Sequence, residues 1–527
     1  MIQRQTQQPN YWRDFSVMER DLEYLYDLIL ETEEPRTAKE LALALIQTRC
    51  AEEEDRLRQK LARGELFQPR NSYQEGAHLL FPALDYALAT VVGKRPGHSV
   101  RYGDFTVIQA EFAEGGEVRE FASELKATHP LNLQGEEDVL TQGDMLLPEE
   151  LRTAYGAAVA AALEEALARD DDFVNLGREW YLQELMGEVH EGHLNIVEAV
   201  IDVEGEPLDP ERILPQLDLP VQLKRRTQLL SLNYALSHDP RFGDVGPADQ
   251  PRWFLRRMEP EEVHEKPPRL RCTTEPYDSI VIRADLFPWV REFADELTGP
   301  DLQPTWEPEP TETTLALTYP HRRAGTLPLT PQTAPFFPRK EGDIVHISFR
   351  DPHDTACWPG WVVAEGDYIY GLGPWYEKVH IPAGAYITLR QGANPLEVMI
   401  ECQRRRRREW VRVARVGGGK LRFEMQTRSV HCECDELMLI SEDNPEKLDR
   451  LWRQAEEERK PIFTILCEVF PELSKLNPQG TVHVKTLYAA VNMVRRCPPG
   501  PILAELSTRA CFLPMGGGYW SYDERRK

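Results

Sequence analysis

The chain has 527 residues, with 62 Lys and Arg against 87 Asp and Glu, a formal net charge of −25, and 28% charged residues beside 41% hydrophobic ones. That length holds about three to five domains of ordinary size. The composition excludes a wholly disordered chain, a small disulfide-stapled scaffold and a uniformly basic nucleic-acid coat, and no apolar run approaches the about 18 residues that a membrane-spanning helix needs.

In chain order, the spacing of Met18, Leu22, Leu25, Leu28 and Ile29 predicts a helix from Ser16 to Glu31, broken by Pro35. Thr37 is placed to cap a second helix, Ala38 to Gln47, and a third is expected from Arg49 to Ala62, ending before Gly64. Residues 73–130 change to short strands around Val91-Val92, Phe105–Ile108 and Val118–Phe121, punctuated by glycines, which suits a small β-barrel. A polar connector at 135–142 leads to an Ala-rich helix from Pro148 to Leu167.

The segment 193–258 has the clearest pattern. His193 to Val203 is amphipathic, Asp209-Pro210 is an N-cap followed by proline in the first turn, and a longer helix opens at Pro220 and ends near His238. A hairpin follows, Arg241–Val245 and Arg252–Leu255 across the turn at 246–249. Residues 271–340 are proline-rich and acidic around 302–310 and read as a linker with one short helix at Phe287–Leu297. Alternating strands fill 341–445, closed as a barrel or a small sandwich. Helices near 447–456, 461–470 and 482–496 come next, then Pro501–Leu506 and a hairpin at Cys511–Tyr522 across Gly516–Gly518.

Helices followed by a hairpin occur at 148–270 and 446–527, and helices followed by a strand and turn (Leu66-Phe67, then Pro69–Asn71) at 1–72. The stretches His193–Val200 and Asp239–Pro247 resemble winged-helix modules, of the HARE-HTH type found in the RNA polymerase delta subunit. The fold class expected is therefore α+β and multidomain: three winged-helix-like modules interleaved with two small all-β modules at 73–135 and 341–445. The resemblance implies DNA binding or docking in the transcription machinery, and it brings no catalytic residues.

No phosphate-binding GxxxxGK[ST] loop, GxSxG or HExxH is present, and nothing in the chain supports an enzyme or a cofactor. His190 and His193 straddle a helix start. His431, Cys432 and Cys434 could offer zinc an imidazole and two thiolates, but a strand with both cysteines on one face accounts for them more simply. Asp351, His353 and Asp354 could form an acid–base cluster or a polar turn. The nine cysteines are odd in number and scattered, as expected of reduced thiols in a cytoplasmic protein. The N-terminal residues Met1–Pro9 lack the apolar core of a signal peptide, and Asp523–Lys527 carry no retention or lipidation motif.

Charge distribution is the most informative functional signal. Across 404–430 ten basic residues face two acidic ones, and five are consecutive: Arg404, Arg405, Arg406, Arg407 and Arg408. They read as a hairpin tip in solvent, where guanidinium forks meet phosphates or an acidic patch. Lys224, Arg225 and Arg226 open the third helix of the middle module, where a recognition helix would meet DNA, and Arg241 and Arg252 flank its wing. In the first module Glu52–Asp55 occupy the equivalent place and would repel phosphate. The expectation is a protein that binds nucleic acid, duplex DNA above all, and docks on RNA polymerase or another protein. A pure interaction scaffold and an accessory subunit of a nuclease or defence system are the alternatives.

Overall fold

The computed structural model describes residues 4–84, 86–132, 146–220, 223–248, 250–273, 276–299, 302, 310–338, 340 and 344–527. The connector expected at 135–142 and most of the proline-rich run at 302–310 lie outside these residues. The chain divides into two compact units, one of residues up to 191 with 217–235, the other of 192–216 with 236–527.

The first unit opens with helices α1 (Pro9–Arg13) and α2 (Glu19–Thr32), strand β1 (Arg36–Thr37) and helix α3 (Ala38–Leu61). Thr37 caps α3 as its sequence predicts, accepting the Glu40 N–H while the Glu40 carboxylate takes the Thr37 N–H. The expected break at Thr48 is absent. No Gly or Pro interrupts the run, and the acidic residues Glu52 and Glu54 pair with Arg56 and Arg58 one turn on, so two expected helices are one.

Strands β2 (Glu65–Leu66), β3 (His78–Phe81), β4 (Ala87–Ser99), β5 (Gly103–Phe112) and β6 (Val118–Ser123) form a five-stranded sheet in that order. Phe67, Phe81, Phe112 and Phe121 stack at its centre, and the chain after β6 returns hydrogen bonds to the Pro69 and Asn71 carbonyls. Helix α4 (Pro148–Leu167) and the hairpin β7 (Phe173–Leu176) and β8 (Glu179–Leu182) complete the unit's regular structure. β8 pairs with β1, giving the order β1-β8-β7 over a core of Trp12, Leu25, Leu45, Leu163 and Tyr181.

The second unit takes in most of α5 (Glu191–Glu204), then α6 (Pro210–Ile213). The division falls inside α7 (Arg225–His238), which starts five residues after the expected Pro220. The hairpin β9 (Phe242–Asp244) and β10 (Trp253–Leu255) follows, with Leu208 bridged to Trp253. After α8 (Glu261–His264) and α9 (Phe287–Phe293) come β11 (Glu312–Ala316), α10 (Tyr319–Ala324), β12 (Thr326–Pro328), β13 (Ile344–Arg350), β14 (Cys357–Val363), β15 (Tyr368–Tyr370), α11 (Gly373–Val379), β16 (Tyr386–Gln391) and β17 (Glu397–Glu401).

These strands make one seven-stranded sheet, β11-β16-β17-β13-β14-β15-β12. The expected linker therefore corrects to structure: β11 and β12 form the sheet's two edges, with Leu315, Leu317 and Leu327 buried. The remaining strands of the region, β18 (Arg404–Gly417), β19 (Lys420–Cys432) and β20 (Ile440–Glu442), make a separate sheet ordered β19-β18-β20. Helices α12 (Pro445–Glu457), α13 (Ile462–Ser474), α14 (Val484–Val494) and α15 (Pro499–Thr508), strand β21 (Val482–His483) and the hairpin β22 (Phe512–Gly516) and β23 (Tyr519–Tyr522) close the chain.

One order of elements recurs three times: helix, short strand, helix, helix, hairpin, with the short strand paired to the hairpin's second strand. It runs α2-β1-α3-α4-β7-β8, then α5-Leu208-α6-α7-β9-β10, then α13-β21-α14-α15-β22-β23. In the first case the third helix is α4, not the stretch around Glu52–Asp55, because the five-stranded sheet is inserted after α3. The described chain is thus α+β with several separate sheets.

Candidate nucleic-acid interface

The third helices do not present basic faces. α4 exposes alanines with Glu149, Glu150, Glu164 and Glu165 around a single turn of Arg152 and Thr153. In α7 no residue from Thr227 to Leu236 is more than partly exposed: Thr227 faces the Tyr181 hydroxyl, Ser231 Oγ accepts the Gly187 N–H, and Leu230 joins the first unit's core. In α15 residues 499–506 are equally covered.

The basic residues at the start of α7 are held by their own unit. Lys224 donates to the Thr32 carbonyl and Arg226 pairs with Glu179, which raises the Arg226 pKa. Arg225 is exposed beside them. Arg241 forms a fork with Asp239 at 2.7–3.2 Å and bonds Glu198 and Asn195 at 2.7 Å. It thereby ties together the two stretches that carry the winged-helix resemblance, and its hydrogen bonds to Asp239 and Glu198 keep it firmly protonated against the cost of burial. Arg252 gives its backbone N–H to Asp244, which also accepts from Gly246 and Lys340, and its side chain is half-buried.

The five arginines are the reverse of a loop. They begin β18, and the hairpin's tip lies at its other end, where Gly418 and Gly419 both take positive φ (63° and 72°). The sequence signal misled because a run of one polar residue has no alternation, while pairing to Ser429, Val430 and Cys432 of β19 keeps it extended. A register shift between Arg404 and Arg407 inserts one extra residue there.

Along this ribbon, cations divide into paired and unpaired. Arg404 reaches Asp351 at 2.7 Å, Arg405 reaches Glu433 at 2.7 Å, Arg407 lies 3.7 Å from Glu409, and Arg415 bridges Glu424 and Asp443. Among the described residues Arg406, Arg408 and Arg422 have no carboxylate partner, and all three are exposed. β20 pairs with β18 only at Arg412–Ala414, so the arginine end is a two-stranded ribbon.

Trp410, 68% exposed, stands on this ribbon between Arg408 and Arg412, and the two-residue period puts all three on one face. Sequence reasoning passed over it as one more strand residue; its place in the alternation Arg408-Trp410-Arg412 was the available signal. Beside it, Arg412 and Met425 form one wall of a cleft of about 180 Å³ whose other walls include Leu473, Thr481, His483 and Tyr519.

The other candidate clusters are structural. Burial would raise the pKa of Asp351, but the Trp375 indole, the His353 N–H and Arg404 all donate to it and hold it low. Asp354 pairs with Lys378 and His353 with Glu401, so this is a tied polar turn. Cys432 and Cys434 lie with sulfurs 3.9 Å apart on the same core as Cys402, and among the described residues no group of three or more His, Cys, Asp or Glu side chains is set to hold a metal. All nine cysteines are free thiols. His193 is buried in the first turn of α5 and His190 precedes it. No described helix is long and apolar enough to cross a membrane. The chain matches no protein-family model, no curated protein and no solved structure.

Proposed function

We propose that this is a non-enzymatic nucleic-acid-binding and docking protein, built on three winged-helix modules, that grips phosphates with the β18–β19 ribbon. The observation that carries the reading is the set of exposed guanidinium groups of Arg406, Arg408 and Arg422, without carboxylate partners among the described residues, on the β18–β19 ribbon of a chain of net charge −25. Guanidinium forks match phosphate oxygens, and the acidic remainder of the surface limits non-specific contact. The threefold recurrence of one helix-strand-helix-helix-hairpin order supports the winged-helix part of the reading.

The burial of α7 and α15 and the acidic face of α4 leave the helical modules without a basic helix face for a DNA groove, and docking is the role proposed for them. On this reading duplex recognition by Lys224, Arg225 and Arg226 gives way to the ribbon. Fluorescence anisotropy of labelled duplex and single-stranded oligonucleotides over a salt series tests it. Wild type is expected to bind with a steep salt dependence, and Arg406→Ala/Arg408→Ala/Arg422→Ala to lose about two in the slope of log K against log salt for a single strand. Absence of binding to both probes at low salt would leave the scaffold reading.

A further inference from the structure

Arg412 differs from every other cation of the ribbon. It is largely covered and lines the cleft, and burial lowers its pKa. One of its nitrogens donates to the Glu436 carbonyl at 2.6 Å. Among the described residues no carboxylate pairs with it, although Asp435 and Glu436 lie nearby. Asp435 is committed to Lys485 at 2.6 Å. A guanidinium taken out of water without a counter-charge is costly to hold, and an anion entering the cleft offsets that cost. The cleft's other polar side chains, Asn477, Thr481, His483, Thr486 and Tyr519, include no carboxylate, so an anion meets no repelling charge on its lining.

Trp410 supplies the second half. Its indole is open to solvent, flanked on its own face by Arg408 and Arg412, with Thr427 directly across on β19. At about 3.4 Å per strand residue, Arg408 and Arg412 lie some 7 Å to either side of it. An exposed aromatic between two cations is a stacking platform for a base whose backbone runs along the cations. Tyr519, 38% exposed, continues the aromatic surface on the far wall of the cleft. A duplex keeps its base faces stacked inside and cannot use the indole; an unpaired strand can.

We infer that this face binds single-stranded nucleic acid, with a base stacked on Trp410 and the neighbouring phosphate held in the cleft by Arg412. The inference rests on the ribbon reading above and names its ligand class.

The test uses the full chain and a labelled 20-residue oligothymidine, alone and as its duplex with oligoadenosine, in fluorescence anisotropy over a salt series. Trp410→Ala is expected to weaken single-strand binding about tenfold or more without changing the salt slope, and Trp410→Phe to retain most of it. Arg412→Gln is expected to weaken it and lower the slope by about 0.7, and Arg412→Lys to restore the slope. Thermal melting of each variant separates lost binding from lost folding; Trp410 is exposed, so its variants report even if those at Arg412 fail to fold. If the single strand binds as before to Trp410→Ala, or the duplex binds more tightly than the single strand, the inference is overturned while the ribbon reading stands. If neither probe binds wild type at low salt, both fail.

Discussion

Two arginines of the second unit, Arg412 and Arg496, set out opposite uses of one side chain. Arg496 is closed in. Its two terminal nitrogens reach both oxygens of Asp295 at 2.8 Å and Glu296 at 2.9 Å, and Glu296 in turn meets His321 at 2.9 Å while the Tyr488 hydroxyl donates to Asp295. All these side chains are buried, and each charge has its answer inside the chain. Arg412 is covered on one side and open to a cleft on the other, with a carbonyl where Arg496 has two carboxylates. A cation held by two carboxylates fixes a fold; one with none, at a cleft wall, is available to a ligand.

The largest effect expected from breaking this contrast is at Arg496. Arg496→Met leaves Asp295 with the Tyr488 hydroxyl and Glu296 with His321 but takes their shared guanidinium away, and lowers the stability of the second unit by about 3–5 kcal/mol, read as a shift of its urea unfolding midpoint. Arg496→Lys does not restore it, because a single ammonium cannot span both carboxylates. An unchanged midpoint in either variant would show that the knot is dispensable.

On the cleft side, His483 is the pH-sensitive member. Burial and then Lys485 hold its pKa down to about 4, and the unfolded chain's imidazole titrates near 6.5. Between those values the unfolded state binds the proton and the folded state does not, so stability is full above pH 6.5 and is lost as pH falls toward 4. The loss is on the order of 3 kcal/mol. His346, similarly lowered by burial, adds to the same window. His483→Gln is expected to flatten part of the unfolding profile between pH 6.5 and 4; a profile of unchanged steepness would remove His483 as its source.

Smaller effects sharpen the division within the ribbon. Arg404→Ala deprives buried Asp351 of one of its donors and costs about 1 kcal/mol after allowing for the exposure of the arginine, measured by thermal unfolding. The exposed pairs of Arg405 and Arg407 are worth less: alanine at either is expected to change stability by no more than about 0.5 kcal/mol. Because their charges are answered by Glu433 and Glu409, these two also carry less of the salt slope than Arg406 and Arg408. Equal slopes from the two pairs would erase the distinction between paired and unpaired cations.

What was legible in the sequence follows the range of the forces involved. Thr37 and Asp209-Pro210 act on their immediate neighbours, and both caps are where the residues imply. Pairing between distant strands was not legible. β11 and β12 lie in a proline-rich stretch, and only their partners β16 and β15 make them sheet. The arginine run lacks a pattern of its own and takes its extension from β19. At the site, the excess of positive charge was readable by counting, but its division into answered and unanswered cations depends on acids as far away as Asp351. Likewise nothing local marks α7 as covered, since the Tyr181 and Gly187 that cover it come from before the helix.

The insertion between α3 and α4 also sets an order of events during synthesis. β1 leaves the ribosome early, but its partner β8 follows only after the whole β2–β6 sheet has emerged. That sheet's pairings are all between consecutive strands, so it can close as soon as its last strand appears. The N-terminal helices and β1 must wait, their apolar faces unsealed, until α4 and the β7–β8 hairpin arrive. The first unit is therefore completed from its middle outward, and its earliest-made strand is among the last to find its place.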